Sequence, residues 1–261
     1  MNRDLVFKLA VNDLKKRYAG SYLGLIWALV GPVVTVFMYW FVFERFFGQK
    51  AQLVSKDIDL PYVLYLTSGL VPWFFFSECM TQGAVALTEY AFLVKQVVFR
   101  IEMLPLVKCL AACFTHIFFI ILMLVVSALY GIFPGVFILQ LFYYSFCTFM
   151  LSLGFAYLCS AITVFFRDLS QIINVLLQLG MWATPILWNI NILGDKGILS
   201  FILKCNPLYY IVKGFRESVS GSTVFYEDVK GTLYFWCFTI LLYIAGRFVF
   251  GRLKPRFADV M

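Results

Sequence analysis

Lys15-Lys16-Arg17-Tyr18-Ala19-Gly20-Ser21-Tyr22-Leu23-Gly24-Leu25-Ile26-Trp27-Ala28-Leu29-Val30-Gly31-Pro32 is the stretch that decides the fold class. Three basic residues close a short charged helix. An aromatic-rich apolar run then begins with no hydrophilic spacer and no cleavage site. That order describes a helix lying on the cytoplasmic membrane surface, about residues 1–20, which anchors the first crossing. On a helical wheel Phe7, Val11, Leu14 and Tyr18 share one face, while Asp4, Lys8, Asn12 and Lys15 share the opposite one, so the segment reads as amphipathic.

Outward from this stretch the composition is uniform in its message. Of the 261 residues 62% are hydrophobic, 20% aromatic and only 13% charged, against about 25% charged in an average soluble protein. The chain reads as an all-α integral membrane protein, with too little polar sequence for a separate soluble domain. Apolar runs long enough to cross, roughly 20 residues each, are expected at Leu23 to Phe43, Tyr62 to Leu87, Leu104 to Tyr130, Val136 to Phe166, Leu169 to Trp188 and Leu233 to Phe250. Six transmembrane helices put both termini on one side. The termini and the loops on their side carry 13 basic residues, and the other side carries 8. The richer side is expected to be cytoplasmic. The net charge of +7 is therefore a topology signal and does not call for nucleic acid as a partner.

Two further segments stand out. On the inner side, Glu89 to Glu102 mixes charge with Phe92, Leu93, Val97 and Phe99; exposed apolar groups rimmed by charge mark a protein contact or a membrane-surface helix. On the outer side, Asn189 to Lys230 is too apolar for a plain loop. Asn206-Pro207 has the form of an N-cap followed by proline at the first helical position, with Gly221 as the stop. Two short re-entrant or interfacial helices are expected here, between spans five and six. Leu208, Ile211, Val212 and Phe215 share one face of the second, with Lys213 and Arg216 off it, so the pair either dips into the outer leaflet over a pore or lies on the outer surface.

Catalytic constellations are missing. There is no Gly-x-x-x-x-Gly-Lys-Ser/Thr loop and one histidine. Cys109, Cys113 and His116 fall on one helix face, a pattern that packing explains better than a metal, since one helix offers at most three ligands. Glu78, inside the second span, is either a shallow group near the outer interface or the partner of a neighbouring helix.

Four separated motifs carry a resemblance over nearly the whole chain: Asp13-Leu14-Lys15-Lys16-Arg17-Tyr18 through Ser21, Leu23-Gly24 and Trp27 to Pro32; Gly69-Leu70-Val71-Pro72-Trp73 with Phe75-Phe76-Ser77; Phe165-Phe166-Arg167-Asp168-Leu169 with Thr184-Pro185-Ile186-Leu187; and Asn206-Pro207-Leu208, together with the tail Leu253 to Asp259. The chain resembles the transmembrane subunits of ABC-2 type polysaccharide exporters, most of all the O-antigen permeases, with teichoic acid permeases close by. Two departures are visible. Gly31 stands where the family more often has Asn, and Val97-Val98-Phe99-Arg100 lacks the usual proline after Phe.

The resemblance implies one ABC-2 type transmembrane domain over residues 1–261: the interfacial helix in 1–20, spans one to five in 21–188, the outer gate helices in 189–230, and span six with a cytoplasmic tail in 231–261. It further implies a bacterial inner-membrane unit of two permeases and two ABC ATPase subunits that exports an undecaprenyl-diphosphate-linked glycan. ATP and Mg would be bound by the ATPase, with no cofactor in this chain. Spans one and five line the family's channel, which nominates Trp27, Tyr39, Trp182 and Trp188. Phe92, Leu93, Lys95, Phe99 and Arg100 become the ATPase contact, and Lys15, Lys16 and Arg17 the place where a lipid diphosphate arrives, its Arg17 fork pairing with phosphate oxygens. The outer helices become a hinged gate whose face of Leu208, Ile211, Val212 and Phe215 seals against the second permease, with Tyr209 and Tyr210 toward the emerging glycan and Gly194, Gly197, Gly214 and Gly221 as flexible points. An exporter of teichoic acid, capsule or a smaller lipid or drug shares this fold. A membrane glycosyl- or acyltransferase would call for clustered Asp, Glu or His at one membrane face, and a non-catalytic scaffold would leave the outer helices unexplained.

Overall fold

The computed structural model describes residues 3–49, 52–55, 58–94, 100–193 and 197–260. Helix α1 (Arg3–Arg17) is followed by α2 (Trp27–Trp40), which continues as a π-helical turn at Phe41–Phe46. A hairpin of β1 (Gln52–Ser55) and β2 (Ile58–Leu60) then leads into α3 (Tyr62–Ala84). Short helices α4 (Ala86–Glu89) and α5 (Ala91–Val94) precede α6 (Leu104–Leu129), α7 (Ile138–Thr163) and α8 (Leu169–Ala183). The chain ends with α9 (Ile198–Lys204), α10 (Pro207–Ser220), α11 (Val229–Leu253) and α12 (Phe257–Val260). The hairpin is the one β element among the described residues; the architecture is that of the expected all-α integral membrane protein.

Among the described residues, five helical stretches are long and apolar enough to cross a membrane: Gly24–Phe46, Tyr62–Ala84, Ile101–Leu129, Gly135–Thr163 and Val229–Arg256. The other expected crossing, Leu169 to Trp188, is helical only over the 15 residues of α8. At 1.5 Å per residue it is about 22 Å long, short of the roughly 30 Å hydrocarbon core. Proline explains the early stop. Thr184, which precedes Pro185, sits in extended backbone at φ −86°, ψ 130°, because a residue before proline is driven out of the helical region. The apolar run continues to Trp188, so hydropathy alone overshoots the helix.

Helix α3 is the centre of the molecule. It is buried along most of its length and packs against α6, α7, α8, α2 and α10. Close approach in an apolar medium depends on small residues. A Cβ on Gly83 would lie 2.7 Å from Ala156 Cβ of α7, and one on Gly246 of α11 would lie 2.6 Å from the Gly154 carbonyl oxygen of α7. At the periphery, α2 and α8 bury little: Ala28 and Ile173 are their fully buried residues.

The non-helical segment after α8 runs through the protein, where each carbonyl needs a donor. Arg216 donates to the Ile186 carbonyl at 2.8 Å, Tyr62 to that of Leu187 at 3.0 Å and Tyr65 to that of Trp188 at 2.9 Å. The start and stop of α10 are as its sequence requires. Asn206 Oδ1 accepts from the Leu208 amide at 3.0 Å, and Gly221 closes the helix at φ +66°.

The buried side of α1 differs from the one its wheel suggests. Val6, Ala10 and Leu14 pack on Val107 and Ala111 of α6 and on Met103 just before it, while Phe7 is exposed and touches the ring of Phe114 edge-on. A wheel sorts residues by hydrophobicity, but lipid and protein interior are both apolar here. The small Ala10 and the ionic partners of α1 decide which side faces α6.

Candidate functional site

The charged groups of α1 meet those of the bundle in one cluster. Asp13, only 2% exposed, accepts from Arg17 Nη2 at 2.7 Å and Nε at 3.0 Å, from the Tyr90 hydroxyl at 2.8 Å, and lies 2.7 Å from Lys108 Nζ of α6. Lys108 is fully buried and also pairs with Glu89 of α4. Arg17 Nη1 donates to Glu78 Oε1 of α3 at 2.8 Å, and Thr115 of α6 donates to Glu78 Oε2 at 2.6 Å. Buried ions persist only when paired and hydrogen-bonded, and Asp13, Arg17, Lys108 and Glu78 each have at least two partners. Burial raises the Asp13 carboxyl, but the Lys108 hydrogen bond and the Arg17 charge outweigh it and hold the group below its ordinary 3.8. The cluster is a mechanical clasp: it joins α1, α3, the α4–α5 segment and α6 at one end of the bundle, so a push on Glu89–Tyr90 reaches α1 and α6 through short ionic contacts.

Beside the clasp lies a cleft of about 330 Å³. Arg17, Tyr18, Glu78, Gln82 and Thr115 give it polar walls, and Trp27, Pro32, Phe74 and Phe119 give it apolar ones. Its composition suits an amphipathic group at the edge of a membrane. A stripe of large exposed side chains runs on from it. Trp27, Val34 and Met38 on α2, and Val175, Leu179 and Trp182 on α8, are all about half exposed or more. The two helices meet where the Tyr39 hydroxyl lies 4.0 Å from Met181 Sδ, and both rest on α3, with the Trp73 ring 3.1 Å from where a Cβ on Gly180 would sit.

With this geometry in view, comparison with known proteins is decisive for the family. The sequence profile of the ABC-2 type transporters matches residues 5–219. The chain belongs to the ABC-2 type transporter family. It is similar to an O-antigen export system permease protein RfbA of Klebsiella pneumoniae, 27% identical over 260 residues that cover 99% of this chain and 95% of that protein. It is likewise similar to the protein of that name from Myxococcus xanthus, 28% identical over 269 residues and covering 98% and 95%. The chain is therefore a multi-pass permease subunit of an ABC transporter, not an enzyme, and an ATPase partner is implied.

The expected site residues of the permease fall in several places. Lys15 and Lys16 are exposed at the end of α1, with Lys16 Nζ 5.4 Å from the centre of the Tyr90 ring. Arg17, expected to meet a lipid diphosphate, is instead held inside the cluster. Its donors are engaged by Asp13 and Glu78, and it is 13% exposed. Trp27 lines the cleft, Trp182 sits on the α2–α8 stripe, Tyr39 is half-buried against the core where α2 meets α8, and Trp188 turns back to donate to the Trp182 carbonyl at 3.0 Å. Phe92 projects from α5 at 58% exposure, Leu93 is half-buried and Arg100 exposed; Lys95 and Phe99 lie outside the described residues.

The outer-gate reading is corrected in its geometry. Leu208, Tyr210, Ile211 and Phe215 are buried within the same subunit, α10 packing on α3 and α7, so no free apolar face of α10 is left for a second copy. Tyr210 is held by the hydroxyls of Tyr143 and Thr232 at 3.1 and 2.8 Å; only Tyr209 faces a pocket. Gly214 is a packing position, not a hinge, because the Tyr144 ring occupies the place of its absent Cβ; Gly194 lies outside the described residues.

Glu78 is a neighbour's partner near the clasp, far along α3 from the hairpin end. Among the described residues no three His, Cys, Asp or Glu converge as metal ligands. Cys113 donates to the Cys109 carbonyl, and His116 stacks on Phe75.

Sequence reading missed Asp13, Glu89, Tyr90, Lys108 and Thr115 as members of one cluster. A signal was present in Lys108, a lysine four residues inside a 26-residue apolar helix, which requires a buried counter-ion.

Proposed function

We propose that this chain is the membrane subunit of a bacterial inner-membrane exporter that carries undecaprenyl-diphosphate-linked polysaccharide, the lipopolysaccharide O-antigen, outward at the expense of ATP hydrolysed in a separate ATPase. The observation that carries this reading is the end-to-end similarity to permeases named for O-antigen export, 27–28% identity over at least 98% of the chain. The geometry agrees with it. In this reading the clasp end is cytoplasmic, as are both termini, which accords with its excess of basic residues. Two copies of the chain and two ATPases form the working unit, and residues 1–261 act as a single transmembrane domain.

The parts then divide the work. The ATPase, which binds ATP and Mg, docks on the exposed Phe92 with Leu93, Lys95, Phe99 and Arg100, and its closure is passed through Glu89 and Tyr90 to Lys108 and Asp13. The lipid diphosphate approaches Lys15 and Lys16, whose ammonium groups are free to reorient, and not the engaged Arg17. The α2–α8 stripe, bearing Trp27 and Trp182 with Tyr39 packed where the two helices meet, faces the glycan path between two copies. Aromatic faces pack on the apolar faces of sugar rings and let a chain slide without a fixed register.

Deletion of the gene in its host tests the proposal. Surface polysaccharide should be lost and lipid-linked polymer should accumulate on the cytoplasmic side, with both restored by the gene on a plasmid. Unchanged surface O-antigen would overturn the assignment, and loss of a different surface polymer would move the substrate to teichoic acid or capsule.

A further inference from the structure

At the end of the bundle opposite the clasp, a pocket of about 250 Å³ lies between the start of α3, the segment after α8 and the first turns of α10. Tyr65, Asn189, Lys204, Tyr209, Lys213 and Arg216 are among its lining residues. Arg216 is the informative member. It is 6% exposed, and its guanidinium carbon stacks 3.6 Å from the centre of the Tyr65 ring. Nη2 donates to the Ile186 carbonyl at 2.8 Å and Nε to the Tyr65 carbonyl at 3.4 Å. Among the described residues no carboxylate pairs with it. Two carbonyls and an aromatic face orient a guanidinium, but they do not neutralise it. Five N–H donors are available on the side chain, so most of the fork remains for a ligand. Every other buried cation in the described chain has a carboxylate: Lys108 has two, and Arg17 has two.

Lys213 reaches Asp228 at 2.8 Å and Glu217 at 3.8 Å, which balances its own charge and leaves that of Arg216 unbalanced. Burial holds the Arg216 guanidinium below its ordinary value, the direction expected of a cation without an anion beside it. Tyr65 and Tyr209 supply aromatic walls and hydroxyls, and Asn189 an amide.

We infer that this pocket is a binding site for a phosphate-type oxyanion, with Arg216 as its bidentate donor, Lys204 at its rim and the tyrosines against the body of the ligand. A planar fork matches phosphate oxygens as an ammonium does not. The volume admits a phosphorylated sugar or a lipid headgroup. The site stands on the pocket alone and does not depend on the export reading.

The test is direct binding to the purified permease with its ATPase subunit in neutral detergent. Glucose 1-phosphate, inorganic diphosphate and glucose are titrated by calorimetry, and phosphatidylglycerol against phosphatidylcholine is followed by native mass spectrometry. At least one phosphate-bearing probe is expected to bind saturably, glucose and phosphatidylcholine not at all. Arg216→Gln should weaken that binding at least tenfold. Lys204→Glu, an exposed change that leaves the fold intact, should weaken it about fivefold and carries the test if the Arg216 variant misfolds. Preference for phosphatidylglycerol assigns the site to a lipid headgroup, and preference for the soluble phosphates assigns it to a passing or free ligand. No saturable binding of any phosphate probe, equal binding of glucose, or full binding by both variants would overturn the inference and leave Arg216 as a staple for the Ile186 carbonyl.

Discussion

At the scale of residues, the clasp turns on a buried lysine and a buried aspartate. Removing one member of a buried ion pair leaves the other uncompensated, at a cost of about 3–5 kcal/mol. Arg17 and Tyr90 would still hold Asp13 after Lys108→Met, so the expected loss is at the low end, about 3 kcal/mol, read from unfolding in detergent. The same loss shared with Asp13→Asn should make the double variant less than additive, by about 1–3 kcal/mol; strict additivity would show that the two do not interact.

The pH dependence of the clasp has a definite sign. Because the folded Asp13 carboxyl lies below its ordinary 3.8, its contribution is fully present above that value. It is lost as pH falls through the lower folded value. The protection factors of the α1 amides, corrected for intrinsic exchange, should therefore be high at pH 6 and fall below about pH 4, with Asp13→Asn low at both. Protection in the native protein that is unchanged by acid would rule out Asp13 as the anchor.

At the scale of elements, the crossing of α7 and α11 depends on glycine. A methyl on Gly246 would meet the Gly154 carbonyl oxygen at 2.6 Å, a backbone atom that cannot swing aside, whereas a methyl on Gly251 meets nothing within 4 Å. Gly246→Ala is expected to lower stability by about 1–3 kcal/mol, the usual cost of overpacking, and Gly251→Ala to leave it within about 0.5 kcal/mol. Equal melting temperatures for the two variants would contradict the packing.

Sequence reading succeeded where one residue determines its own backbone, and it fell short where neighbours decide. Asn206, Pro207 and Gly221 announce the ends of α10 because capping is local chemistry. The long apolar runs announce most of the crossings. The end of α8 was hidden, since Ile186 to Trp188 are as apolar as the helix before them and only Pro185 stops it. The buried side of α1 was hidden too, because Ala10 and Asp13 are chosen by α6 and not by hydrophobicity. The role of Leu208, Ile211 and Phe215 was half legible. An apolar stripe was plain, but whether it faces its own bundle or another copy depends on where α3 and α7 lie.

At the scale of the whole molecule, a rigid core around α3, α6, α7, α10 and α11 carries two loosely held helices, α2 and α8, on one side and an ionic clasp at one end. In the proposed exporter that division has a use: motion received at Phe92 and Glu89 is passed through the clasp to α1 while the core, α6 included, stays packed. The direct measurement is movement of undecaprenyl-diphosphate-linked glycan across proteoliposomes containing the chain and its ATPase, scored by protection of the glycan from an external glycosidase. The account predicts protection that requires ATP and both subunits and that falls at least tenfold in the Phe92→Ser/Phe99→Ser double variant, with the protein still correctly inserted. Glycan that crosses without ATP or without this chain, or crosses at the normal rate in the double variant, would contradict it.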